Sequence, residues 1–308
     1  MTMIPEVKRI KIKYLFGLIG KAIAYTIMGV FALMAIVPIV WLIINSFKTT
    51  VEFRTNMIGL PKIWTLQNYV GAWKIGNFDK LMGNSFFYTI VATVGSIFFS
   101  LLAGFAFTKI KSKATVPIYA SFVIGLLLTT QSLMVPLFLQ VSQLDKIIGD
   151  FLQLVGLMRS TDFHLFYNTR FGVLLIYIGS ALPLGIYLST EYIKSIPFSL
   201  VEAARIDGAG YWRIFLSIIL PMTIPIITTI AILQIPNIWN EFALINILVS
   251  KTEFRSMPLG IFKFSGTLAT DYGKQFAALV IGMVPMLGFY IIFRKQLTKG
   301  VAAGAVKG

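Results

Sequence analysis

Six stretches of this chain contain no Asp, Glu, Lys or Arg: residues 22–47, 81–108, 114–144, 171–190, 214–240 and 275–293. A helix rises 1.5 Å per residue, so about 20 apolar residues cross the hydrocarbon of a bilayer, and each stretch meets that length. Charged residues make up 13% of the chain, against about 25% in soluble domains. The expected fold is therefore all-α: one polytopic membrane domain, 22–293, with six transmembrane helices. It is flanked by an N-terminal segment, 1–21, and a tail, 294–308. The first stretch far exceeds the roughly 7–15 apolar residues of a cleaved signal and is expected to stay as a span.

Six spans put both termini on one side. The segments on that side, 1–21, 109–113, 191–213 and 294–308, carry 15 of the 27 Lys and Arg residues in short, dense patches, with Lys109, Lys111 and Lys113 in one turn. The positive-inside rule then places both termini in the cytoplasm and leaves about 48–80, 145–170 and 241–274 outside. The net charge of +15 belongs to these membrane-flanking loops rather than to a nucleic-acid surface. Zero cysteines exclude disulfides and thiolate metal sites, and His164 is the only histidine. It reads as a solvated loop residue. The six stretches bury no ionisable group of the kind that ion-coupled carriers use, and no acid or histidine cluster suggests an embedded enzyme. Prolines 183, 221, 225, 236 and 285 fall inside the stretches, where proline is ordinary in membrane helices.

The segment 195–208, in the loop between the fourth and fifth stretches, is the most informative. Ser199 and Glu202 have capping-box spacing, which predicts a short helix beginning there. Asp207-Gly208 supplies its end, because glycine readily takes the left-handed conformation that closes a helix. Two turns are unstable alone in water, so flanking spans or a partner must hold them. Ala203 and Ala204 would let another surface approach closely, and Leu200, Val201 and Ile206 are expected to form an apolar patch beside them.

Glu202-Ala203-Ala204, Gly208 four residues on, and Ile218-x-Leu220-Pro221 after nine more resemble the EAA loop of binding-protein-dependent ABC importer permeases. The likeness extends to Trp239-Asn240-Glu241-Phe242, to Met257-Pro258-Leu259-Gly260, and to the tail Gly304-Ala305-Val306-Lys307-Gly308. These are similar to the maltose-type six-span subunit of carbohydrate-uptake permeases. The outer segment 143–167 is longer than in that subunit type. The resemblance implies a bacterial or archaeal cell membrane, a second homologous permease subunit, two ATPase subunits, an external sugar-binding protein and a sugar as cargo. It assigns ATPase coupling to Glu202, Ala203, Ala204, Asp207 and Gly208. The chain has no G-x-x-x-x-G-K-[ST] loop, so it is not expected to be an enzyme or to hold a cofactor; ATP and Mg²⁺ would sit in the partner ATPase. A permease for a polyamine, a peptide or a phosphorylated polyol is the alternative.

Gln234, Asn237 and Glu241 fall at i, i+3 and i+7, on one face of the fifth span, with Asn240 near its edge. Amides seldom face lipid, so these four are candidates for the substrate path, with bonding to a neighbouring helix as the competing role. Pro236 beside them would free backbone carbonyls. The outer cations Lys251, Arg255 and Lys263 would attract an acidic cargo or dock a partner.

Overall fold

A computed structural model describes residues 4–110, 112–157, 163–264 and 271–305, with side chains from residue 17 to residue 296 within those ranges. Lys111, residues 158–162 of the long outer segment and the last three residues of the tail lie outside them. No strand occurs among the described residues. The helices are α1 (Ile4–Ser46), α2 (Thr50–Thr55), α3 (Gln67–Gly76), α4 (Phe78–Lys109), α5 (Thr115–Gly125), α6 (Thr130–Leu154), α7 (Arg170–Lys194) and α8 (Phe198–Ile206). They continue with α9 (Tyr211–Ile214), α10 (Leu220–Met222), α11 (Ile224–Trp239), α12 (Ala243–Leu248), α13 (Met257–Ile261) and α14 (Tyr272–Ala305).

Among the described residues, four helical segments are long and apolar enough to cross a membrane: Gly17–Ser46, Phe78–Lys109, Arg170–Lys194 and Tyr272–Gln296. The other two stretches are not straight spans. The third is split into α5 and α6, bent by 109°. Leu126, Leu127 and Leu128 tighten into i→i−3 hydrogen bonds after Gly125, and Thr129 is extended, so the helical ladder ends there. The fifth stretch bends by 72° at Thr223. Pro221 and Pro225 each lack an N–H, which removes bonds in two successive turns, and a π-helical segment, Phe215–Ile219, precedes the bend. Here proline does mark a break, whereas Pro183, Pro236 and Pro285 lie within continuous helices.

The chain divides into two units, 1–72 with 264–280, and 73–263 with 281–308. In the first, the Asn68 amide donates to the carbonyls of Ser46 and Lys48 at 2.8 and 2.7 Å, pinning the end of α1. Phe53 packs edge-on against Trp41 and Phe276. Burial pushes Asp271 up, and hydrogen bonds from Lys274 and Thr50 outweigh it, so its carboxyl titrates below the usual range.

The second unit is organised around α4 and α7. Ala92, Ser96, Ser100 and Gly104 form a stripe of small buried residues on α4 at four-residue spacing. A Cβ on Gly104 would lie 3.0 Å from the Thr190 backbone nitrogen, so the two helices approach as closely as a small-residue membrane interface allows. One apolar cluster joins Leu101 and Phe105 of α4 to Ile193 of α7, Val201 and Ala204 of α8, Phe215 of the π segment and Ile230 of α11. A second joins Tyr88 and Ala92 to Val141, Tyr177, Ile238, Leu244 and Ile245.

Candidate functional site: a polar cavity and a short loop helix

A cavity of about 610 Å³ opens beside α7, α11 and α12, and Gln234, Asn237, Asn240 and Glu241 all line it. They do not share one helical face. Helix α11 ends at Trp239 with Asn240 as its cap, so Glu241 stands beyond the helix and enters the cavity from the turn leading into α12. Its carboxylate accepts the N–H groups of Leu244 and Ile245 at 2.7 and 3.1 Å, and the Tyr177 hydroxyl at 2.9 Å. A carboxylate at the first turn of α12 also complements that helix's dipole.

Gln234 is only 3% exposed. Its amide oxygen accepts from the Ser96 hydroxyl, and its nitrogen donates to the Ala181 carbonyl at 3.3 Å. Gln234 therefore ties α11 to α4 and α7 from the cavity wall that it also lines. Asn237 differs. It is exposed, lines the cavity, and bonds only within its own helix, its amide nitrogen donating to the Leu233 carbonyl at 2.9 Å. Asn240 is exposed as well. Pro236 cannot donate to the Ile232 carbonyl, but α11 stays continuous through it.

Sequence reasoning missed Thr130, Gln131, Tyr177 and Ser180, which share the lining. Gln131 carried a usable signal as an amide inside an apolar stretch; Tyr177 carried none. Among the described residues, no Lys, Arg or His lines this cavity. Arg255 and Lys263 line a separate cleft of about 320 Å³ instead. Arg255 donates to the Ser250 carbonyl of its own loop and Lys263 to the Ile75 carbonyl in the last turn of α3, so both cations bond backbone. Lys251 is exposed, beside the Phe254 ring. His164 is half exposed, with Nδ1 3.9 Å from the buried Asp145 carboxylate, which itself clamps the backbone N–H groups of Leu165, Phe166 and Tyr167.

The loop helix α8 exists, but it starts earlier than a capping box at Ser199 requires. Pro197, with φ −56° and an extended ψ, is the residue before the helix, and Ser199 is its second residue, with no side-chain cap. Proline's fixed φ sets the entry, so the serine is not needed there. The far end matches a Schellman closure: the Ala209 N–H bonds Ala204 O at 2.9 Å and the Gly208 N–H bonds Arg205 O at 3.0 Å, with Gly208 at φ +80°.

Only part of the expected patch is outward. Val201 is fully buried and Ala204 nearly so, both in the protein's own core, because residues three apart share the inner face. Glu202, Ala203 and Asp207 are exposed, Leu200 is partly so, and Ile206 is 87% exposed. A nine-residue helix thus presents an acid, an alanine and a bare isoleucine while its other face is anchored.

This arrangement, helices built for lipid carrying a polar cavity and one anchored loop helix, has known counterparts. The chain belongs to the family of binding-protein-dependent transport system inner membrane components, whose model matches residues 96–301. The "Probable starch degradation products transport system permease protein AmyC" of Thermoanaerobacterium thermosulfurigenes is 34% identical over 90% of this chain and 94% of its own length. The diacetylchitobiose uptake system permease protein NgcG of Streptomyces coelicolor is 29% identical over 93% of this chain and 89% of its own. A bacterial ABC transporter involved in import of the acidic polysaccharide alginate has a chain of the same fold. It superposes with a TM-score of 0.73 at 21% identity, covering 92% of this chain and 96% of that one.

Proposed function

We propose that this chain is the membrane-spanning permease subunit of an ATP-driven importer that takes a sugar or oligosaccharide from an external binding protein. The observation that carries the reading is the cavity of about 610 Å³, where Gln131, Asn237, Asn240 and Glu241 converge among apolar walls. Amides and a carboxylate offer donors and acceptors in the pattern that saccharide hydroxyls match. The relatives above are named for saccharide cargo, which favours a sugar over a polyamine, a peptide or a phosphorylated polyol.

The exposed face of α8 suits a seat in an ATPase subunit, with Glu202, Ala203, Asp207 and the Gly208 turn as the contact. ATP and Mg²⁺ would be bound there, and a second permease subunit would complete the path. The dense Lys and Arg of 1–21, 109–113, 191–213 and 294–308 support both termini, and α8 with them, on the cytoplasmic face of the cell membrane.

The test is the assembled complex: this chain, its companion permease, the ATPase pair and the binding protein. ATP hydrolysis is measured with malto-oligosaccharides, diacetylchitobiose and arabino-oligosaccharides. Stimulation by one sugar class through the binding protein is expected. Stimulation by a polyamine or a peptide alone would overturn the saccharide assignment.

A further inference from the structure

Lys109 is the last residue of α4, 6% exposed, and its ammonium donates to the Ile196 carbonyl at 2.6 Å with the Phe198 ring 5.9 Å away. Among the described residues no carboxylate lies within 4.0 Å of it. An ammonium withdrawn from water without an acid partner is costly, and an apolar residue would satisfy the packing at lower cost. The end of α4 favours a cation through the helix dipole, but a lysine reaching into water would serve that equally. What the buried position adds is a bond to the three-residue link, Ser195-Ile196-Pro197, that leads directly into α8.

From residue 90 to its end, α4 makes side-chain hydrogen bonds to other elements at two places among the described residues. One is Lys109 to Ile196; the other is Ser96 to Gln234 in the cavity wall. Between them Ser100, Ser189 and Thr190 hold buried hydroxyls without a partner. That stretch of the α4–α7 seam has close contact and no latch. The two clamps lie 13 residues apart, about 20 Å along a single unbroken helix.

We infer that Lys109 is a positioning residue that couples α8 to the cavity, with α4 as the connecting rod between its clamp and the Ser96–Gln234 clamp. Displacement of α8 pulls on the Ile196 carbonyl, and through Lys109 on α4, which shifts the cavity wall at Gln234. This rests on the functional reading above, in which α8 is the ATPase seat.

The experiment uses the full complex in proteoliposomes with whichever of the three sugar classes stimulates the wild type most. Sugar molecules moved per ATP hydrolysed are compared among Lys109→Met, Lys109→Gln, Lys109→Arg, Ser96→Ala and the Lys109→Met/Ser96→Ala pair. Lys109→Met should assemble normally and lose the ratio by about ten-fold, within the usual range of site-to-site coupling. Lys109→Arg should restore most of it and Lys109→Gln, which keeps an N–H donor, part of it. Because both clamps act on one rod, the double variant should be no worse than the worse single variant. An unchanged ratio in Lys109→Met, or losses that multiply in the double variant, overturns the inference. So does a loss of assembly in Lys109→Met with wild-type ratios in the Gln and Arg variants. A wild-type complex that responds to no sugar overturns the functional reading itself; a transporting wild type beside an unimpaired Lys109→Met removes only the clamp.

Discussion

The Tyr177 hydroxyl donates to the Glu241 carboxylate at 2.9 Å, while the same carboxylate receives the N–H groups of Leu244 and Ile245. One acid thereby joins α7, the end of α11 and the start of α12 at the edge of the cavity. Tyr177→Phe keeps the buried ring and deletes one bond to a charged acceptor, worth about 1.5–3 kcal/mol. Assembly should persist and the apparent KM for sugar uptake should rise; an unaltered KM would show that the bond does not shape the cavity. Glu241→Gln extends the test. Equal loss of binding-protein stimulation for every sugar would assign Glu241 to docking instead of the path.

Gln234 and Asn237 are one turn apart and should fail differently. Gln234→Leu deletes the bonds that tie α11 to Ser96 of α4 and to the Ala181 carbonyl of α7, leaving the Ser96 hydroxyl only the Thr93 carbonyl of its own helix, so the yield of assembled complex should fall. Asn237→Leu removes an exposed amide bonded only within its own helix, so yield and basal ATP hydrolysis should hold while uptake, or preference among sugars, declines. Size-exclusion yield and uptake per complex separate the two, and the reverse pattern would exchange their roles.

Gly208 has open space where a Cβ would stand, so the obstacle to Gly208→Val is its φ of +80°, which costs about 1–2 kcal/mol for a residue with a side chain. The closure that ends α8 should loosen and ATPase association weaken. Glu202→Lys is the complementary variant. Glu202 is exposed and makes no hydrogen bond or ion pair among the described residues, so its reversal should change stability by no more than about 0.5 kcal/mol and act on docking alone. Wild-type association in both variants, measured by co-purification, would leave α8 a purely structural loop.

The absence of native cysteine makes topology directly readable. Cysteines at Ser112 and Ala203 should react only with reagents that enter the cell, and cysteines at Thr55 and Thr252 with impermeant reagents outside; all four positions are exposed. Labelling of position 203 from outside intact cells would reverse the orientation.

The long apolar helices were legible because charge is nearly forbidden in lipid: all six charge-free stretches are bounded by Lys, Arg, Asp or Glu, and four of them fall on single long helices. The bends were not. Leu126–Thr129 holds no residue that forbids a helix, and Pro221 and Pro225 act as a pair one turn apart, whereas the isolated prolines 183, 236 and 285 leave their helices intact. At α8 the glycine closure was readable, because a left-handed residue has few alternatives. The start was misread because Pro197 sets the entry two residues before the serine. The cavity amides were visible as polar residues in an apolar stretch, but which of them face space depends on partners from distant elements: Ser96 and Ala181 occupy Gln234, and nothing in local sequence marks them. Lys109 looked like one of three loop cations; its burial follows from the close packing of α4 on α7, which lies beyond any local pattern.

Uptake of a stimulating sugar into proteoliposomes holding the complete complex, with ATP inside and binding protein outside, tests ATP-driven coupling through α8 most directly. Accumulation is expected only when both are present, and it should vanish in Glu202→Lys at normal permease insertion. Accumulation without ATP, or at the wild-type rate in Glu202→Lys, would contradict an ATP-driven path coupled through α8.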